Sequence, residues 1–213
     1  MGAAVTVDAH HHVWDLSVRD QDWIEEGSPI RRDFTVADLA AEARAAGVDR
    51  TVLVQTITVP EETPKLLSLA AGHDLIVLPH QLPVSVKAAA SLPQLAFVLD
   101  HVGKPPIASG ALEPWSTDIH ALAAHPDTVC ELSGMVTEAD PAGWTVDDLR
   151  PYADVVLDAF GPDRLMFGSD WPVCTLGVSY GEVLSTAKEL TRGTGAVGQA
   201  DLFDGTATRV YGL

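Results

Sequence analysis

The chain has 213 residues, 46% of them hydrophobic, with 30 acidic against 13 basic side chains and a formal net charge of -17. That is enough apolar material for a substantial core, and the acidic excess excludes nucleic acid as a partner, because holding phosphates takes Lys and Arg in surplus. No apolar run approaches the ~20 residues of a membrane span and no basic segment leads into an apolar one at the N-terminus, so no membrane partner is expected and the cytoplasm is the expected location. Cys130 and Cys174 are too few for a disulfide framework and form no CxxC pair for a cysteine zinc site.

The first expected strand, 4–9, runs into Asp8-Ala9-His10-His11-His12-Val13-Trp14. Residues two apart on a strand share a face roughly 6.5 Å apart, so His10 and His12 converge on one ion or one substrate oxygen while His11 points the other way. A lone histidine is more often a hydrogen-bonded core residue, but two at this spacing mark a polar site. Flanking Val, Asp and Trp argue against a purification-tag remnant.

Thr35 with Asp38 then caps a helix that Gly47 stops, and a strand at 51–55 ends in Gln55. Thr63 before Pro64 opens a second helix, with Gly72 as its stop, followed by a strand at 74–78. The strand at 96–100 ends in Asp100-His101 and a Gly103-Lys104-Pro105 turn, after which Ser116 or Thr117 opens a helix. A strand at 128–132 leads into Ser133-Gly134, and Thr145 with Asp148 caps a helix stopped by Gly161. The last strand, 164–168, runs into Ser169-Asp170-Trp171-Pro172, where Gly168 allows close backbone approach and Pro172 stiffens the exit.

Strands alternating with helices specify βα units around a parallel sheet, and the polar clusters fall at the strands' carboxyl ends, where such folds place their sites. No Gly-rich loop follows the first strand, which argues against a Rossmann or P-loop site. Six strands are found where a closed (β/α)₈ barrel of ~250 residues has eight. Two residues invite a plainer reading: Asp100 as a strand-ending cap that merely orients His101, and Asp170 as a helix N-cap. Trp14 and Trp171 either wall a pocket or pack in the core, the latter being the commoner role.

Taken together, DAHHHVWD, VLDHVGKP, ELSGMVTEA and FGSDWPVC resemble, in the same order, the motifs of the amidohydrolase-related (amidohydrolase 2) lactonase family, and the likeness extends to Gly205-Thr206-Ala207-Thr208-Arg209-Val210-Tyr211. The resemblance implies a TIM-type (β/α)₈ barrel, here abbreviated to about six βα units in a single domain over 1–213, that hydrolyses a small cyclic ester. It matches His10 and His12 to the family's first-strand HxH, His101 to its sixth-strand histidine and Asp170 to its eighth-strand aspartate. In that reading Asp170 activates water and His10, His12 and His101 polarise the carbonyl. The cofactor is one divalent ion (Zn or Mn) on His10, His12 and Asp170, or none, since some relatives work without a metal.

Three departures stand out. Strands 3 and 4 of the family's barrel are missing, so strand 2 must pair with strand 5 or leave two edges open. With them goes a Gly-Ile-Arg-like motif whose arginine binds the substrate's acidic or hydroxylated groups. Glu131 replaces an expected lysine, and a buried carboxylate must turn away or find a partner such as Lys104 or an arginine. The expected partner is a small-molecule substrate, with a homo-oligomer open. Two alternatives to the hydrolase are a catalytically impaired remnant serving as a binding or oligomerisation module, and a decarboxylase of the same superfamily.

Overall fold

In a computed structural model the protein is described over residues 5–17, 20–54, 79–92, 95–140 and 143–213, and over 72–75 for the backbone. Gln55, Thr63, Pro64 and residues 76–78 of the expected third strand lie outside the described residues. Among the described residues six strands occur: β1 (Val7–His11), β2 (Arg50–Leu53), β3 (Gly72–Leu75), β4 (Ala96–Leu99), β5 (Thr128–Leu132) and β6 (Leu165–Phe167). All ladders are parallel, in a pair β1-β2 and a four-stranded sheet β3-β4-β5-β6.

The two sheets meet where the first strand lies beside the last. There His11 bridges Trp171, the Asp170 N–H donates to the His10 carbonyl at 2.8 Å, and the His12 N–H donates to the Trp171 carbonyl at 2.6 Å. Asp8, fully buried, fastens the seam: its carboxylate accepts the Ser169 N–H and the Tyr180 hydroxyl, both at 2.8 Å, and the His10 N–H at 3.1 Å. On the far side no ladder joins β2 to β3 among the described residues, and of the two expected outcomes, pairing of strand 2 with the family's fifth strand or two open edges, this corresponds to the second. Six strands cannot close with the tilt and shear that suit eight, and this side of the barrel bears the mismatch.

Alternation along the strands sorts the core into two clusters. Phe97, Leu99, Cys130, Leu132, Leu165 and Phe167 pack outward against helices. Val98, Val129 and Met166 meet Val7, Ala9 and Ala207 inside. Two residues beyond Val98 and Val129 on the same faces come Asp100 and Glu131, so the interior turns from apolar to ionisable toward the carboxyl ends.

Helices are set by their caps. Thr35 and Asp38 form a capping box on α1 (Val36–Ala46), which Gly47 ends at φ 74°, as the sequence predicts. Helix α2 (Leu82–Ser91) follows β3. Helix α3 (Trp115–Ala123) starts earlier than Ser116 or Thr117 requires, because the Glu113 carboxylate takes the capping role and accepts the Thr117 N–H and hydroxyl. A short turn, α4 (Met135–Glu138), follows Gly134. Thr145 and Asp148 cap α5 (Val146–Phe160), which stops at Gly161. Gly72 is the first residue of β3, and the helix it is expected to stop lies outside the described residues. Ser179 and Glu182 cap α6 (Tyr180–Thr191), and α7 (Gly195–Ala200) and α8 (Thr206–Tyr211) complete the chain. No helix among the described residues is long and apolar enough to cross a membrane.

Candidate active site

The four residues singled out in the sequence come together at the seam. His10 and His12 lie edge to face with ring centroids 4.8 Å apart, and His10 and His101 at 4.4 Å. Asp170 Oδ1 is 3.4 Å from His12 Nε2 and 3.9 Å from His101 Nε2. One ligand atom each from His10, His101 and Asp170 falls within 4.8 Å of the others. His11 takes no part in these contacts; burial holds its ring below the ordinary histidine range, partly offset by Asp8.

Backbone geometry delivers two of these side chains at a cost. Among non-glycine residues, His101, Val102, Lys104 and Asp170 have positive φ, at 52°, 48°, 50° and 56°. That conformation is unfavourable for a residue with a Cβ, most of all for β-branched Val102, and such strain collects at functional turns. Two glycines make room for the rings. A Cβ on Gly134 would lie 2.7 Å from His101 Cγ, and one on Gly168 would lie 2.6 Å from His10 Cβ. Trp14 and Trp171 are buried, each packed edge to face on Phe34, so packing is their role.

Each imidazole is tied at Nδ1. His12 Nδ1 is 2.8 Å from the Val54 carbonyl, which can only accept, so the ring's proton sits on Nδ1. His10 Nδ1 is 2.6 Å from Glu131 Oε2, and His101 Nδ1 is 2.9 Å from Ser133 Oγ. Glu131 was expected to turn away or to meet Lys104 or an arginine; instead it meets His10, while Lys104 pairs with Glu138 at 2.6 Å. The reason is position, since alternation on β5 aims Glu131 inward, beneath β1.

Electrostatically the cluster is short of positive charge. The buried ionisable groups among the described residues include Asp8, Asp100, Glu131 and Asp170 with four imidazoles, and no Lys or Arg. Burial pushes His101 down to about 3, against the pull of Asp170. Burial opposes ionisation of Asp170, while positive charge on the neighbouring imidazoles, His101 first, draws its carboxyl below the usual range. Asp8 is raised by burial, despite its hydrogen bonds from Ser169 and Tyr180.

This donor set fits a divalent cation. With the Nδ1 hydrogen of His12 committed to the Val54 carbonyl, its Nε2 lone pair faces His10 Nε2 at 3.1 Å, a separation that a cation held by both nitrogens makes favourable. Imidazole nitrogens with a carboxylate oxygen, buried amid excess negative charge, are ligands suited to zinc or a similar ion.

The sequence profile of the Amidohydrolase family matches residues 60–213. The chain belongs to that family of hydrolases, and its fold is an abbreviated TIM-type barrel. It is 32% identical to an L-fucono-1,5-lactonase of Burkholderia ambifaria, over 96% of this chain and 94% of the relative. That alignment spans 277 positions against a chain of 213 residues, so at least 64 positions face gaps, about the two units of ~30 residues found missing. An L-fucono-1,5-lactonase of Burkholderia multivorans is 44% identical over 66% of this chain and 51% of its own length. Among solved structures, an amidohydrolase from Burkholderia multivorans with bound zinc superposes with a TM-score of 0.86 at 31% identity, over 99% of this chain and 100% of that one.

The sequence marks Ser133 only as part of the polar cluster that ends its strand, and gives no role to Asp8 or Tyr180. Asp8 and Ser133 stand inside the motifs that were quoted, but their roles depend on partners up to 172 residues away.

Proposed function

We propose that the chain hydrolyses a small cyclic ester of the sugar-acid lactone type, as the names of the two Burkholderia relatives suggest. The observation that carries this reading is the convergence of the His10, His12 and His101 ε-nitrogens with the Asp170 carboxylate in one buried cluster. Lactone hydrolysis needs a proton acceptor for water and positive character beside the carbonyl oxygen as it becomes an oxyanion.

Asp170 is the acceptor. Its carboxylate is held ionised at neutral pH, and its two oxygens let it face the imidazoles with one and take a proton with the other. His10 and His12, with His101 and Asp170 beside them, would hold the cation, and their Nδ1 bonds to Glu131 and Val54 keep the ε-nitrogens turned inward. A divalent ion bound there supplies a Lewis acid that polarises the carbonyl and acidifies water. His101 is anchored on Ser133.

The test is proton release on a panel of sugar-acid lactones that includes L-fucono-1,5-lactone, for wild type and Asp170→Asn. Loss of a positioned base should lower kcat/KM by about 10²–10⁴-fold. Equal rates for the two proteins would dismiss the mechanism.

A further inference from the structure

Behind the imidazoles lies a second set of contacts that the hydrolysis scheme does not use. Glu131 is fully buried on β5; its Oε2 meets His10 Nδ1 at 2.6 Å and accepts the Ser133 hydroxyl at 3.4 Å, and its Oε1 accepts the Tyr211 hydroxyl at 3.4 Å. Ser133 in turn holds His101 through both the backbone N–H, at 3.2 Å, and Nδ1. Two of the three rings are therefore referred to one carboxylate, and that carboxylate is held by the last helix.

We infer that Glu131 is the positioning residue that decides which nitrogen of His10 carries the hydrogen, and thereby prepares the cluster for a divalent cation. The inference rests on the reading above for what the cluster is. A neutral imidazole carries one hydrogen on either nitrogen, and the choice follows whichever nitrogen has the better acceptor. A carboxylate at 2.6 Å is the stronger acceptor and draws the hydrogen to Nδ1, leaving Nε2 as a lone pair aimed into the cluster. The other arrangement puts the hydrogen on Nε2, where it donates across 3.1 Å to His12 Nε2 and occupies both lone pairs at once. In that state two of the cation's ligands are lost together. Glu131 holds the cluster in the first state, and Tyr211 and Ser133 keep the carboxylate from rotating away.

Two readouts test this on the full chain, neither of them activity. Long-range ¹H–¹⁵N spectra of the metal-free, histidine-labelled protein report the tautomer, and His10 is expected as Nδ1–H in wild type and as a mixture in Glu131→Gln. Zinc binding, measured by competition with a chelating indicator, should weaken by about 10–100-fold in Glu131→Gln, as for other outer-sphere partners of ligating histidines. Tyr211→Phe removes one hydroxyl, keeps the ring, and should weaken zinc by a few-fold; it carries the test if Glu131→Gln does not fold. Nε2–H on His10 in wild type, or zinc binding unchanged in both variants, overturns the inference. Lactone hydrolysis absent from a wild type whose zinc affinity still falls in Glu131→Gln would sink the hydrolase reading and leave this one standing. A wild type that takes up no zinc overturns the preparation for a cation.

Discussion

Replacing Gly134 with alanine is a small change with a large expected effect. Gly134 sits at φ 61°, a conformation that carries roughly 1–2 kcal/mol of strain for a residue with a Cβ. The new methyl would lie 2.7 Å from His101 Cγ and Nδ1 and 2.8 Å from His101 Cβ, where carbon contacts are comfortable only beyond about 3.5 Å. Relieving that overlap moves the ring by most of an ångström, an overpacking penalty of about 1–3 kcal/mol. Alanine's stiffer unfolded chain returns about 0.4–1 kcal/mol, so the net loss is about 1–4.6 kcal/mol. The same movement pulls His101 Nδ1 off Ser133, and a misplacement of this size costs on the order of 10²-fold in rate. Urea unfolding followed by circular dichroism, with lactone turnover on the same preparations, measures both. Gly143→Ala is the control, since a Cβ there meets nothing within 4 Å, and its stability should stay within about 0.5 kcal/mol of wild type. If Gly134→Ala matches Gly143→Ala in both assays, the crowding of His101 against its neighbouring turn is not what holds the ring.

Tyr180→Phe leaves a buried carboxylate oxygen of Asp8 without the hydroxyl that donates to it, and should cost about 1–3 kcal/mol in urea unfolding; no change would show the seam is fastened elsewhere. His120 is raised above 6.5 by its hydrogen bond to the Ser116 carbonyl and then by Asp158. Its contribution to stability is therefore full below pH 6.5 and fades as pH rises through the folded-state value, and an NMR titration of Asp158→Asn should bring the midpoint down toward 6.5. Zinc at 100 times its dissociation constant should stabilise the fold by about 2.7 kcal/mol, reversibly with chelator, and should fail to do so in a His10→Asn, His12→Asn double variant.

Spacing made the site legible. Two histidines at i and i+2 on a strand, and an aspartate after a glycine at the end of the last strand, needed only the period of a strand and the rule that parallel folds gather chemistry at carboxyl ends. The capping boxes at Thr35 and Thr145 are equally local, and both were readable for that reason. Glu131 was placed on the correct strand but given the wrong partner, because its true partner is 121 residues away and no local pattern marks it. Asp8 was hidden by the histidines that follow it, though two of its three hydrogen bonds hold β1 to the segment after β6 and to α6. The start of α3 was missed because Glu113, in a proline-containing turn, caps from outside the expected Ser/Thr/Asp/Asn set.

The seam has a consequence for how the protein is made. Asp8 and Ser169 are 161 residues apart, and joining them closes a loop whose entropy disfavours closure by about 4.5 kcal/mol beyond a constant. His10 and His12 precede Asp170 by 160 and 158 residues, so over that stretch of synthesis a nascent chain holds the two imidazoles without the carboxylate. The cluster should assemble in a single step, when the segment after β6 returns to β1, and truncations upstream of Asp170 should yield inert products however well their helices form.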